Sequence, residues 1–278
     1  MNPFSSMLKN NVHDFWQEQT CGTDLTTEQK YSKKYFDSIE EERYVRCPEV
    51  FSFAQFTRHR GKRILEIGIG AGTDFVQWVR AGASASGIDL TEEAIQHTKE
   101  RLVLEGLRAE ELSVADCENL PYPDASFDVV YSYGVLHHTP NTEQAIHETL
   151  RVCNDGGKVK IMLYHRNSIV VAFFWVKHAL LKFRPWKSPD WCLYHFMESK
   201  GAKAYMKAEA QAILDRSGYT LSNVRIEPIL TYYDDMSRFN AFFGAVSTVL
   251  AWIFGNSAGW FLLIDATKSV PSEISDRA

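Results

Sequence analysis

The chain has 278 residues, 45% apolar and 23% charged, with 30 basic and 35 acidic side chains and a net charge of −5. This is the composition of an ordinary soluble globular protein, with room for one large domain or two small ones, and its acidic balance excludes broad, non-specific binding to nucleic acid. The five cysteines (Cys21, Cys47, Cys117, Cys153 and Cys192) are scattered and form no C-x-x-C pair, which argues against a disulfide framework or a cysteine zinc site and for a reducing cytoplasm.

In chain order, Met1–Trp16 lacks a basic segment followed by an apolar run, so no secretory signal is expected there. Residues 1–60 read as a helical cap. Tyr31, Tyr35, Phe36 and Ile39 recur at helical spacing, as do Val50, Phe53 and Ala54 after Pro48. Residues 61–168 alternate between strand and helix. The predicted strands are Arg63–Ile67, Ala85–Leu90, Leu112–Ala115, Phe127–Ser132 and Lys158–Tyr164, the last preceded by a turn at Asn154–Gly157. Between them fall a helix over Thr73–Ala81, one capped by Thr91 with Glu92 and Glu93 in its first turn, and one opened by Asn141 with Gln144 three residues on. This rhythm predicts βαβ units and a parallel sheet covered on both faces. Residues 169–200 break it with an apolar helix over Ile169–Phe183 and a Pro/Trp-rich loop, read as a helical insert or lid. Residues 201–278 complete the sheet, with a helix near Ala202–Ser217, strands near Val224–Ile226 and Trp260–Ala266, an apolar helical insert over 239–255, and a polar, frayed tail from Val270.

Glu66-Ile67-Gly68-Ile69-Gly70-Ala71-Gly72 joins the first strand to its helix. Glycines there let the backbone turn tightly and approach a ligand, and the helix start offers free N–H groups. The run departs from G-x-G-x-x-G because Thr73 stands at the third glycine position, and no G-K-[ST] follows, which excludes an NTPase P-loop. Asp89 ends the second strand, near where an acid meets a ribose, and Asp116 ends the third, where a carboxylate can accept from an adenine amine. A plain βα turn explains the glycines alone, and a solvated loop acid explains Asp89 alone. Their joint spacing favours a nucleotide-bearing ligand.

With Ala115–Tyr122, Ser126–Val130, Gly134-Val135-Leu136-His137-His138 and Arg151-Val152 added to these stretches, the chain resembles the class I S-adenosylmethionine-dependent methyltransferases of the type 11, ubiquinone/menaquinone-biosynthesis-like group. The resemblance covers about 61–165 and implies an α/β, Rossmann-like, doubly wound, seven-stranded sheet, mostly parallel with its last strand antiparallel. It implies that Gly68, Gly70 and Gly72 line the methionine part of S-adenosylmethionine, with Glu66 organising the loop. Asp89 would bind the ribose, Leu90 flank the adenine, and Asp116 and Cys117 hold its edge, leaving S-adenosylhomocysteine as product.

Catalytic candidates belong at the carboxyl ends of strands four and five. Tyr133, His137 and His138 follow the former; Tyr164, His165 and Arg166 follow the latter. His165 is the preferred general base because imidazole titrates near neutral pH, although a backbone-bonded loop histidine is an equal reading. The His137-His138 pair reads as architectural in the first instance, and Tyr133 as a candidate for both cofactor binding and catalysis. No H-E-x-x-H and no acidic cluster has metal spacing, so no metal is expected. Apolar lid helices favour methylation at O or C of a small apolar or aromatic acceptor: quinone-like, lipid or polyketide-type. The alternatives are an N- or S-methyltransferase of a polar metabolite, or a non-catalytic cofactor-binding subunit; an RNA or protein methyltransferase is disfavoured by the acidic charge. The apolar helices also suggest contact with a membrane surface from the cytoplasm, or a homodimer face.

Overall fold

Three helices precede the first strand in the computed structural model, which describes residues 3–269: α1 (Pro3–Glu18), α2 (Lys33–Arg46) and α3 (Glu49–Ala54). Ser32 caps α2 by accepting from the Tyr35 backbone N–H, and Tyr35, Phe36 and Ile39 are buried as their spacing predicts. The tail from Val270 lies outside the described residues.

Next come β1 (Arg63–Ile67), α4 (Thr73–Arg80), β2 (Ser84–Asp89), α5 (Glu92–Glu105), β3 (Glu111–Val114), β4 (Phe127–Tyr133), α6 (Thr142–Val152) and β5 (Cys153–Tyr164). Every residue of β1 after Arg63 is buried, as expected of a strand covered on both faces. Thr91 and Asn141 cap α5 and α6 through their side chains, as the sequence indicated. The chain continues through α7 (Ile169–His178), α8 (Pro189–Phe196), α9 (Lys207–Asp215), β6 (Leu221–Ile229), α10 (Ala241–Phe254) and β7 (Phe261–Lys268). The seven strands lie in the order β3-β2-β1-β4-β5-β7-β6. β1 to β5 pair in parallel, and β7 runs antiparallel to both β5 and β6. Strand order reverses between β1 and β4, and ligands of open α/β sheets bind beyond the carboxyl ends of the strands at such a reversal.

Three elements differ from expectation. The apolar helix of the insert stops at His178 and tightens into a short 3-10 turn at Leu180–Lys182, after which Phe183 takes a left-handed φ of 54° and Pro185 keeps Arg184 from resuming the helix. The helix predicted from Ala202 begins at Lys207. Lys203 and Tyr205 are extended instead, their N–H groups donating to the carbonyls of His137 and Tyr164. The predicted turn at Asn154–Gly157 belongs to an irregular start of β5: Cys153 pairs with Phe127, and the register then shifts before Val129 pairs with Lys158.

Candidate active site

A cavity of about 360 Å³ opens at the strand reversal. Its floor is the β1 turn with the ends of β2, β3 and β4; its roof comes from α1, α2 and the segment after α8. Gly68, Gly70 and Gly72 all have positive φ, at 78°, 51° and 74°. A Cβ on Gly68 would stand 2.2 Å from a methyl of Val135, so the turn lies flat against the segment after β4. Gly68 and Gly70 line the cavity. Gly72 does not; it caps α4 with its Cα against the Thr98 side chain.

Glu66 is buried and accepts from the Trp78 indole N–H at 2.9 Å. Burial, reinforced by Asp74, pushes its carboxyl well above the ordinary range. Asp89 lines the cavity and holds the turn: Oδ2 accepts from Gly70 N–H at 3.1 Å, and Oδ1 accepts from the Thr91 N–H and hydroxyl. Oδ2 therefore keeps acceptor capacity toward the cavity. Burial raises the Asp89 pKa against these hydrogen bonds. Leu90, Asp116 and Cys117 also line the wall. Asp116 takes a hydrogen bond from Lys9 of α1 at 2.5 Å, and Lys9 reaches Glu118 at 2.8 Å. Burial pushes the Cys117 thiol up to about 12, so it stands as a neutral group.

At the other end, Arg43 of α2 pairs with buried Asp74 at 2.7 Å and stacks over the Tyr133 ring. Tyr133 lines the cavity, but its hydroxyl donates to Glu49 at 2.5 Å, and burial holds its pKa well above the phenol range. That phenol is a wall, not a free base. His137 does not reach the cavity. Its ring is fully buried with neither nitrogen partnered, stacks on Tyr164 at 3.7 Å, and is kept neutral by burial. His165 is likewise turned away: its Nδ1 pairs with the Gly259 carbonyl at 2.9 Å, and its backbone bridges to Tyr205. Alternation along the strand explains this, because the Tyr164 ring takes the face that reaches Glu198 and its neighbour takes the opposite one.

Two residues occupy the place expected of His165. His138 lines the cavity, with Nδ1 on the Ser199 hydroxyl at 2.8 Å and Nε2 3.5 Å from Glu198. Glu198 follows α8, accepts from the Tyr164 hydroxyl at 2.9 Å, and has an unusual φ of 24°. Burial lowers His138 to about 3 and raises Glu198 above the ordinary carboxylate range. Sequence reasoning missed Glu198, Arg43 and Lys9, since an isolated acid in a lid loop and basic residues on charged helices carry no motif.

Residues 65–161 match the family model described as a methyltransferase domain, Methyltransf_11. The chain carries an S-adenosylmethionine-dependent methyltransferase domain. The methyltransferase is 29% identical over 166 residues to a ubiquinone biosynthesis O-methyltransferase of Azoarcus sp. strain BH72, covering 59% of this chain and 70% of that one. It is 34% identical over 104 residues to a phosphatidylethanolamine N-methyltransferase of Cereibacter sphaeroides, covering 37% of this chain and spanning about half of that relative, 51%. Among solved structures, an N-methyltransferase of Haemonchus contortus in complex with phosphomonomethylethanolamine and S-adenosylhomocysteine superposes with a TM-score of 0.60 at 15% identity, covering 93% of this chain and 60% of that one. That likeness is one of fold. The donor set of the methyltransferase fits S-adenosylmethionine. A cavity-facing carboxylate suits ribose hydroxyls, an acid and a thiol at the β3 end suit an adenine edge, and glycines beside a guanidinium suit an amino-acid end. No group of metal-ligating side chains occurs among the described residues.

Proposed function

We propose that this methyltransferase acts at O or C of a small apolar or aromatic acceptor, with Glu198 as the general base. The observation that carries this reading is the cavity's two-part wall. Its nucleotide-compatible end is polar, whereas Phe15, Trp16, Val12, Tyr133, Val135 and Tyr233 bound much of the rest beside the Glu198 carboxylate, with Asp24 also in the wall. Of the relatives above, the one named for ubiquinone biosynthesis is an O-methyltransferase, in keeping with this reading, whereas the one named for phosphatidylethanolamine is an N-methyltransferase.

In this reading, Gly68 and Gly70 receive the methionine part of the cofactor and Arg43 its carboxylate. Asp89 takes the ribose hydroxyls, Leu90 flanks the adenine, and Asp116 with Cys117 takes its edge. Bound S-adenosylmethionine supplies an electrophilic methyl group, so the protein's task is alignment and exclusion of water. The aromatic wall holds the acceptor ring. Glu198, made more basic than an ordinary carboxylate by burial, takes the acceptor proton in its ionised form, while the Tyr164 hydroxyl fixes its orientation.

The test is methyl-labelled S-adenosylmethionine incubated with the protein and a host extract, then split into organic, aqueous and RNA fractions. Label in the organic fraction is expected; label confined to the aqueous fraction would replace this reading with that of a polar acceptor. With the product in hand, Glu198→Gln should lower turnover by about a hundredfold or more while cofactor affinity holds. The sign of the pH dependence follows from the raised pKa: the base works only when ionised. Wild-type turnover should climb with pH along a limb lying above the ordinary glutamate value of about 4.3, and the Gln variant should lack that limb.

A further inference from the structure

The helix α10 is built inside out. Its inward side is small and polar. Ser247 accepts from the Met236 N–H and donates to the Gly244 carbonyl, and a Cβ on Gly244 would stand 2.7 Å from Ser237. Its outward side carries Phe242, Val246, Val249 and Ile253 in one row, with Trp252 beside them at 85% exposure. No charged residue occurs from Phe239 to Ile264. A helix of a water-facing surface shows the opposite pattern.

The patch extends onto the insert. Phe173 of α7 stacks on Phe239 at 4.5 Å, just before α10. Beyond α7, the left-handed turn at Phe183 presents that ring at 87% exposure, and Trp186 follows at 75%. The same segments carry Lys177, Lys182, Arg184, Lys187 and Arg238, none of which forms an ion pair among the described residues; Lys177 and Arg238 lie over the Phe239 ring and Lys187 over Trp191. Residues 167–189 and 236–264 contain five cations and no acid, in a chain whose net charge is −5.

We infer that α10 and the α7–α8 loop form a docking surface for a bilayer with anionic headgroups, lying on the membrane rather than crossing it. Charge selects the occupant. Unpaired cations among exposed aromatics and aliphatics match acidic headgroups above an acyl region, whereas a second acidic copy of this chain offers no such complement. Length selects the mode. Although the 18-residue stretch Ala241–Ala258 is apolar enough to span and only 17% of it is buried, α10 has 14 residues, roughly 21 Å against a hydrocarbon core of about 30 Å. Both ends are also tied to the fold: Asn256 accepts from the Leu230 N–H, and Asp234 accepts from the Trp260 N–H. Glu198 and Tyr233 of the cavity wall lie in the segments that follow α8 and precede α10, so the docking surface and the cavity wall are joined along the chain.

The test is flotation of the full chain with vesicles of phosphatidylcholine alone and of phosphatidylcholine with about 30% phosphatidylglycerol. Binding to the anionic vesicles is expected to be at least tenfold tighter and to weaken with salt. Trp252→Glu, and separately the combined change of Lys177, Lys182, Arg184 and Lys187 to Gln, should each lower it at least tenfold, with S-adenosylmethionine affinity unchanged. Equal affinity for both vesicles, or none for either, overturns the inference. So does a wild-type dimer in sedimentation that Trp252→Glu dissociates while vesicle binding is absent. The readout needs no acceptor, so it stands or falls apart from the proposed reaction.

Discussion

Asp89 shows how one side chain can serve both fold and ligand. Its Oδ2 fixes the glycine turn through Gly70 while facing the cavity. Asp89→Ala should weaken S-adenosylmethionine binding at least tenfold, about 1.4 kcal/mol, by calorimetry; unchanged affinity would remove it from the site. Gly68 is constrained twice, by its φ of 78° and by Val135. Gly68→Ala should destabilise by about 2–5 kcal/mol, summing left-handed strain and overpacking. Adding Val135→Ala should restore only the steric part, which denaturant titration of the single and double variants would resolve. These residues were legible because a strand, a glycine turn and a strand-end acid are local patterns. Glu198 was not, because its meeting with His138 and Tyr164 joins segments about sixty and thirty residues apart in sequence. His165 was misplaced for a related reason: sequence puts it at the right end of β5 but does not tell which face it takes.

At the scale of elements, alternating strands and helices made β1 to β5 readable, since β1, β2 and β4 are buried along most of their length, as is β5 from Val159 on, and β3, half-exposed at the sheet edge, keeps the same rhythm. The elements after β5 were blurred where backbone partners from distant segments override propensity, as in the extended Lys203–Tyr205 stretch. One such junction is titratable. Asp234 joins the turn after β6 to the start of β7 by accepting at Oδ2 from the Thr231 N–H and hydroxyl and from the Trp260 N–H. Its Oδ1 is buried without a partner, and burial pushes the carboxyl up to about 6. The folded state thus holds a proton that the unfolded chain, with an aspartate pKa of about 3.9, releases. The contribution of that proton is full below the unfolded value and is lost as pH rises through about 6. Asp234→Asn keeps an acceptor oxygen and removes the ionisation. Its stability relative to wild type should therefore rise between about pH 4 and 6 and be flat outside that window; a difference independent of pH would refute the assignment.

On the scale of the whole molecule, the cavity exists only because the N-terminal helices are held over the sheet. Composition and periodicity announced those helices but not what fastens them. The fastening is ionic and centres on Glu40 of α2, which accepts from Arg80 of α4 at 2.7 Å, from Gln77 at 2.9 Å, and from Arg101 of α5. The Arg101 guanidinium is fully buried, so its charge depends on Glu40 and Glu105 for compensation. Surface pairs elsewhere in the chain contribute little; this one differs because removing one acid leaves a desolvated cation with Glu105 as its one remaining charged partner. Glu40→Ala should therefore destabilise by about 2–3 kcal/mol, below the 3–5 typical of a buried charge stripped of its only partner, because Glu105 stays. The loss should not be confined to stability. α2 also carries Arg43 to the cavity wall and to Asp74, so loosening its dock should weaken cofactor binding even though Glu40 itself lies outside the wall. Thermal melts with and without S-adenosylhomocysteine separate the two effects. A saturating ligand at about a hundred times its dissociation constant adds about 2.7 kcal/mol to the wild type, and at one fixed concentration the variant should gain less. Equal ligand-induced gains would show that α2 is anchored independently of Glu40.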